Sequence, residues 1–220
     1  MDLERLQSFL TSKNVTLVAV SKTHPPERVL EVYAGGQRVF GENRPQEMLA
    51  KYDALPKDIH WHLIGHLQTN KVKMIAPFVA MIHSVDSLRL LSEINKQAEK
   101  HNRVIDCLLQ FHIAEEETKF GLDEAEARTL LESPEYLAMR NVRICGVMGM
   151  ATFTDDTALV RREFKSLKRI FDDLKTQYFA ENEEFREVSM GMSGDWEVAV
   201  EEGSTMVRIG SLIFGERKKE

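Results

Sequence analysis

Cysteine is scarce here: of 220 residues only Cys107 and Cys145 carry a thiol, and both fall inside apolar runs that read as strands. Two such residues build neither a disulfide framework nor a four-ligand zinc site, and they read as buried, reduced thiols. No apolar stretch is long enough to cross a membrane, and the opening Met1-Asp2-Leu3-Glu4-Arg5-Leu6 is too charged for a secretory leader. Clustered positive charge is also missing. Against 35 acidic residues stand 29 lysines and arginines, a formal charge of −6 with a pI near 5.7, which argues against a nucleic-acid footprint. Arg161-Arg162, Lys218-Lys219 and the run Glu115-Glu116-Glu117 with Lys119 read as solvated face, tail and loop. No linker, repeat or low-complexity segment divides the chain, so residues 1–220 read as one cytoplasmic domain with a full core.

What the chain does have is alternation. Strand-like runs fall near 15–20, 37–40, 59–64, 79–84, 105–111, 142–148, 186–190 and 206–210. Helical patterns lie between them, for example at 25–34, 45–54, 87–101, 123–131 and 155–179, with Asp86 and Asp155 as N-caps and Pro25-Pro26 in a first turn. Strict βα alternation implies parallel strands, and eight of them predict an α/β fold closed into a (β/α)8 barrel of the TIM type. Leu3, Leu6, Phe9 and Leu10 mark an extra N-terminal amphipathic helix, expected over the barrel floor. An open doubly wound sheet is the alternative, but no Gly-x-Gly-x-x-Gly turn follows the first strand.

In such a barrel the chemistry sits at the carboxyl ends of the strands, so the polar residues there are the ones to collect. Strand one gives Lys22, above Val20, Val18 and Thr16 if the period of two continues inward. An amine over an apolar layer is partly desolvated, which lowers its pKa and favours Schiff-base chemistry; a surface lysine in a strand-to-helix loop is the plain alternative. Strand two gives Gly41-Glu42-Asn43, strand three His62 with Gly65, and strand six Met148-Gly149-Met150. After strand seven comes Met192-Ser193-Gly194-Asp195-Trp196, and after strand eight Gly210-Ser211. Two small, donor-rich turns on these adjacent loops fit a phosphate, although Ser193 or Asp195 could equally cap a helix.

Arg208 is expected to face inward beside Lys22, and a permanent charge there needs a partner: a carboxylate such as Glu42 or Glu201, or a ligand. An aldehyde, a phosphate and a ring nitrogen on one molecule would answer Lys22, the serine turns and Arg208 together. Pyridoxal 5′-phosphate has all three. Lys22 alone would also suit a Schiff-base aldolase. His60-Trp61-His62 puts two imidazoles on one strand face, a weak metal signal without a carboxylate at matching spacing. The methionines at 148, 150, 190 and 192 read as soft packing at the barrel top, and Phe120-Gly121-Leu122 as part of the wall of the mouth.

Six segments together resemble the pyridoxal phosphate homeostasis protein family over essentially the whole chain. They are Ala19-Val20-Ser21-Lys22, Phe40-Gly41-Glu42-Asn43 with Gln46-Glu47, Trp61 to Lys71, Gly146 to Met150, Ser189 to Asp195 and Val207 to Ser211. The resemblance implies a barrel similar to the N-terminal domain of bacterial alanine racemases, with Lys22 holding pyridoxal 5′-phosphate as an internal aldimine. It implies phosphate contacts from Ser193, Gly194, Gly210 and Ser211, a place for Arg208 at the pyridine nitrogen, and ring-side places for Asn43, His62 and Met148. Leu63, where Phe or Met is expected, and Arg44-Pro45, where the family has an aromatic and a less rigid residue, depart from the pattern.

An arginine at the ring nitrogen favours an unprotonated ring, a poor electron sink. The related racemases draw a second acid/base, a tyrosine, from an extra domain of a partner subunit. This chain ends about ten residues after Arg208, and Tyr33, Tyr52, Tyr136 and Tyr178 fall away from the mouth. The expected function is therefore non-enzymatic: a monomeric pyridoxal phosphate binding protein that buffers or delivers the cofactor, with apoenzymes as transient partners. A weak amino-acid racemase is the alternative, with His62 as its best acid/base.

Overall fold

The computed structural model describes residues 2–115 and 120–215. Of the charged stretches read as solvated, 116–119 and 218–219 lie outside the described residues. The strands are β1 Thr16–Val20, β2 Val39–Glu42, β3 His60–Leu63, β4 Met81–Val85, β5 Ile105–Gln110, β6 Val142–Met148, β7 Glu187–Ser189 and β8 Met206–Ile209. All are parallel, pair in sequence order and close as β8 returns to β1, with Val18 opposite Arg208. Every strand end lies within two residues of its sequence-based expectation.

Alternation sorts the strand residues into two layers. Val18, Met81, Leu108, Cys145, Met148 and Met206 pack inside the barrel. Ala19, Phe40, Trp61, Leu63, Ile82 and Leu109 face outward into the larger core beneath the helices. Cys107 and Cys145 are both buried free thiols. Burial pushes Cys107 well above the usual thiol value and Cys145 up to about 12, so both stay protonated and inert.

Two helix starts and one placement differ from expectation. The helix Leu88–Lys100 is capped by Ser87, whose hydroxyl accepts from the Leu90 N–H, not by Asp86. The long helix Thr157–Tyr178 is capped by Asp156, not Asp155. The helix Pro26–Ala34 does begin at the expected Pro25-Pro26 pair, although the Pro25 ring offers no capping oxygen. The N-terminal helix Leu3–Ser12 does not cover the floor. Leu6 and Leu10 pack with the outward-facing Leu17, Val207 and Ile209 and with Trp196, so the helix lies on the outer wall across the β8–β1 seam. The element after β8, Ser211–Phe214, is a single turn, and the outward side chains at the seam need a cover that it is too short to give.

Candidate functional site

A cavity of about 980 Å3 opens at the carboxyl ends of the strands. Lys22, Asn43, Ser193, Gly194, Arg208, Gly210 and Ser211 all line it. So do residues that strand-end reasoning did not collect, among them Gln110, which ends β5. His62 and Met148 are not part of the lining. Both are buried, Met148 among the interior apolar residues.

Lys22 lies two residues beyond β1, in a turn rather than on the strand. The His24 N–H bonds the Ser21 carbonyl at 3.0 Å, closing the turn over Lys22 and Thr23. Thr23 sits at φ 68, left-handed backbone that a β-branched residue rarely adopts. Beneath the mouth, Val20 lines the cavity and Val18 belongs to the interior cluster. On the neighbouring side the loops after β2 and β3 touch backbone to backbone. A Cβ at Gly65 would lie 2.4 Å from the Asn43 carbonyl oxygen, so glycine there sets how close Asn43 sits. His66 stacks on Phe120 at 4.1 Å and forms the outer rim.

The two serine turns meet. The Gly210 N–H donates to Ser193 Oγ at 3.2 Å, joining the loop after β7 to the loop after β8. The Asp195 carboxylate accepts from the Met192 N–H at 2.5 Å and shapes its own loop. Gly194 has open space where a Cβ would be.

Arg208 forms the polar floor. It is 4% exposed and hydrogen-bonds a hydroxyl and a carbonyl: Ser189 Oγ at 2.6 Å and the Gly149 oxygen at 3.1 Å. The carboxylates that might have paired with it are engaged elsewhere, Glu42 with Lys51 and Glu201 with Arg161. Burial lowers its pKa to about 10, partly opposed by the field of Asp195, so it remains charged at neutral pH. A guanidinium only donates, so Ser189 accepts from it. We assign the rest of the chain accordingly, with Ser189 O–H donating to His83 Nδ1 and His83 Nε2–H to His62 Nδ1, each at 2.9 Å.

His62, named from sequence as the best acid/base, is not an imidazole of ordinary basicity. Burial, then the charge of His60, pushes it down to about 3. His83 is held well below its usual value by burial and by the neighbouring His62 and Arg208. Both rings stay neutral, and so weakly basic an imidazole is a poor general base. They continue the hydrogen-bonded chain that begins at Arg208 and Ser189. His83 sits on β4, a strand whose end was not searched in sequence; applying the strand-end rule to β4 and β5 would have drawn attention to it and to Gln110.

Behind Lys22 lies a second polar cluster, between barrel and helix. Glu42 is fully buried and accepts from Ser21 Oγ and from Lys51 Nζ, each at 2.6 Å through the same oxygen. Its other oxygen has no partner. Burial raises the Glu42 pKa from 4.5 to about 7 against the pull of Lys51 and Ser21. The folded protein therefore binds more protons than the unfolded chain between those values, so its stability falls as pH rises from about 4.5 to about 7 and levels off above. The span is on the order of 3 kcal/mol. In urea titrations across that pH range, Glu42→Gln should remove this slope; an unchanged slope would assign it to other groups.

A lysine turn after the first strand and two linked serine turns after the last two define, with the fold, a (β/α)8 barrel of the racemase type. The family model described as alanine racemase, N-terminal domain, matches residues 2–218. A pyridoxal phosphate homeostasis protein of Aquifex aeolicus is 45% identical over 203 residues, covering 92% of this chain and 87% of that one. PipY of Synechococcus elongatus, solved with PLP bound, superposes with a TM-score of 0.84 at 37% identity, covering 97% of this chain and 99% of that one. Alanine racemase of Bartonella henselae, at 16% identity and a TM-score of 0.71, shares the fold over all of this chain and 64% of its own. The chain belongs to the alanine racemase N-terminal domain family and, within it, to the pyridoxal phosphate homeostasis proteins.

Proposed function

We propose that this barrel binds pyridoxal 5′-phosphate at its mouth and serves cofactor homeostasis, sequestering the aldehyde and releasing it, without turning over a substrate. The observation that carries this reading is that Lys22, Arg208 and the joined serine turns line one cavity. The donor set fits the ligand: a primary amine, a buried cation that only donates, and small turns that carry backbone N–H and hydroxyl groups. When bound, the group supplies an electrophilic aldehyde on a phosphorylated pyridine. Lys22 provides the amine that captures it reversibly. Ser193, Gly194, Gly210 and Ser211 surround the phosphate with neutral donors. Arg208 faces the ring nitrogen and keeps its proton at neutral pH, which leaves the ring a poor electron sink. Asn43 flanks the ring, while His62 and Met148 act from beneath.

Absence of catalysis is supported by the neutral, weakly basic His62 and by the places of the four tyrosines. Tyr33 bonds Asp58, Tyr52 stacks on Phe78, Tyr136 packs on the helix-side core and Tyr178 bonds Glu132. None lines the mouth. The chain acts as one cytoplasmic, monomeric barrel domain whose partners are apoenzymes met transiently; its buried thiols suit a reducing compartment.

The test loads purified protein with pyridoxal 5′-phosphate and offers it, separately, an enantiopure amino acid and a pyridoxal-phosphate-dependent apoenzyme. The expected result is no change in optical activity and recovery of the apoenzyme's activity; saturable racemisation would overturn the reading. Ser193→Ala should weaken the affinity roughly tenfold through one lost hydrogen bond to a charged group, read by fluorescence titration.

A further inference from the structure

Lys51 has no assigned role, yet its surroundings are unusually complete. It sits on the helix Pro45–Ala54 at 3% exposure. Its ammonium has three N–H groups and three acceptors: Glu42 Oε1 at 2.6 Å, the Ser21 carbonyl at 2.7 Å and Glu47 Oε1 at 2.8 Å. Two of these lead directly to the residues on either side of Lys22. Ser21 is gripped through its carbonyl by Lys51 and through its hydroxyl by Glu42. Thr23 is gripped through its N–H, which donates to Glu47 Oε1 at 2.6 Å.

We propose that Lys51 is the positioning residue for Lys22: its buried ammonium draws Ser21, Glu42 and Glu47 together and so locks the turn that presents the Lys22 amine to the cavity. The proposal rests on the reading of that cavity as an aldehyde site.

The backbone supplies an independent reason for such a lock. Thr23 is left-handed at φ 68, a strained state for a β-branched residue that persists only where the surroundings over-determine it. Here the surroundings are the Glu47 carboxylate on its N–H and the Ser21 carbonyl closing the turn. Lys51 is bonded to both. Without it, the Ser21 carbonyl and Glu47 lose the donor they share, and Glu42, its pKa already raised to about 7 with the cation beside it, takes up a proton and no longer draws the cluster together. The turn would then relax toward ordinary backbone and the Lys22 amine would move. A displacement on the order of 1 Å is enough to slow a reaction about a hundredfold.

A purely structural ion pair would predict something else: lost stability with no selective loss at Lys22. Two variants separate these cases. Lys51→Met removes the lock, and Lys51→Met with Glu42→Gln removes it without leaving Glu42 as a buried carboxyl group that must change its protonation. For each, two quantities are measured. One is the rate at which pyridoxal 5′-phosphate gains its visible absorbance on the protein, confirmed as a borohydride-fixed mass on Lys22. The other is the affinity for pyridoxine 5′-phosphate, which has the ring and phosphate but no aldehyde. The expected result is a roughly tenfold to hundredfold slower capture in both variants, with affinity for the alcohol held within about twofold. A folded double variant that captures at the wild-type rate, or one that loses both quantities in parallel, overturns the role of Lys51 and leaves the cavity's reading standing. A wild-type protein that acquires no adduct on Lys22 overturns that reading, and the role of Lys51 with it.

Discussion

Lys22→Ala is expected to abolish the visible absorbance that pyridoxal 5′-phosphate acquires on the wild-type protein, and to leave no mass on the chain after borohydride reduction. The amine is the reacting group, and among the described lining residues it is the one lysine. The same substitution should leave ring and phosphate binding in place. Ser193, Gly210 and Ser211 lie in the loops after β7 and β8 and Arg208 on β8 itself, each held by hydrogen bonds within that side of the barrel. Truncating a half-buried side chain at a cavity wall costs the fold little, roughly 0.5 kcal/mol, or about 2 °C in a barrel of this size. The variant thus separates capture from recognition: affinity for pyridoxine 5′-phosphate should be unchanged while the adduct is gone. A reduced adduct that survives in Lys22→Ala would move the covalent site to another amine.

The sequence carries the fold and the lining more openly than it carries what holds the lining in place. Strands end where they were expected because β-branched and apolar runs, bounded by polar turns, mark them without help from partners. Lys22, Asn43, Ser193, Gly194, Arg208, Gly210 and Ser211 were legible because one rule, polar residues at strand ends, collects them, and the structure brings all seven to one cavity. The same rule misplaces His62, since the period of two says which face a side chain takes but not whether a layer lies above it. Here the ring turns to His83 and reaches Arg208 only through His83 and Ser189. The N-terminal helix was assigned to the floor because amphipathicity reports an apolar face and not its target; the target is the outer seam. Lys51 gave no signal, as its pattern is that of an ordinary helix lysine. Its partners Ser21 and Glu42 lie just after β1 and at the end of β2, and only the barrel closes the distance.

Gly146→Ala should be the most destabilising single methyl in the barrel. Gly146 lies in β6 at φ 153, a region favourable to glycine alone, and a Cβ there would fall 1.8 Å from the Glu187 carbonyl oxygen of β7. Neither atom has a flexible end that could swing aside, so the backbone of one strand must move. The glycine marks a bulge. Against β5, the register passes from Cys107 opposite Ile144 to Leu108 opposite Gly146, leaving Cys145 as the extra residue. Its effect is visible in the packing: Cys145 and Met148, three residues apart, both face the barrel interior, while Ile144 and Val147 face the helices. An unbulged strand could not do this, because alternation would send Met148 outward. The shift also sets the strand end that offers the Gly149 carbonyl to Arg208. Strain and overpacking together should cost about 4 kcal/mol, a fall in Tm of roughly 8–16 °C. Ligand affinity should fall as well, since the floor residue loses an acceptor. Thermal unfolding of the variant checks the first effect and a pyridoxine 5′-phosphate titration below the melting range checks the second. A melt within about 2 °C of wild type would show that β7 yields to the methyl and that the bulge does not depend on glycine.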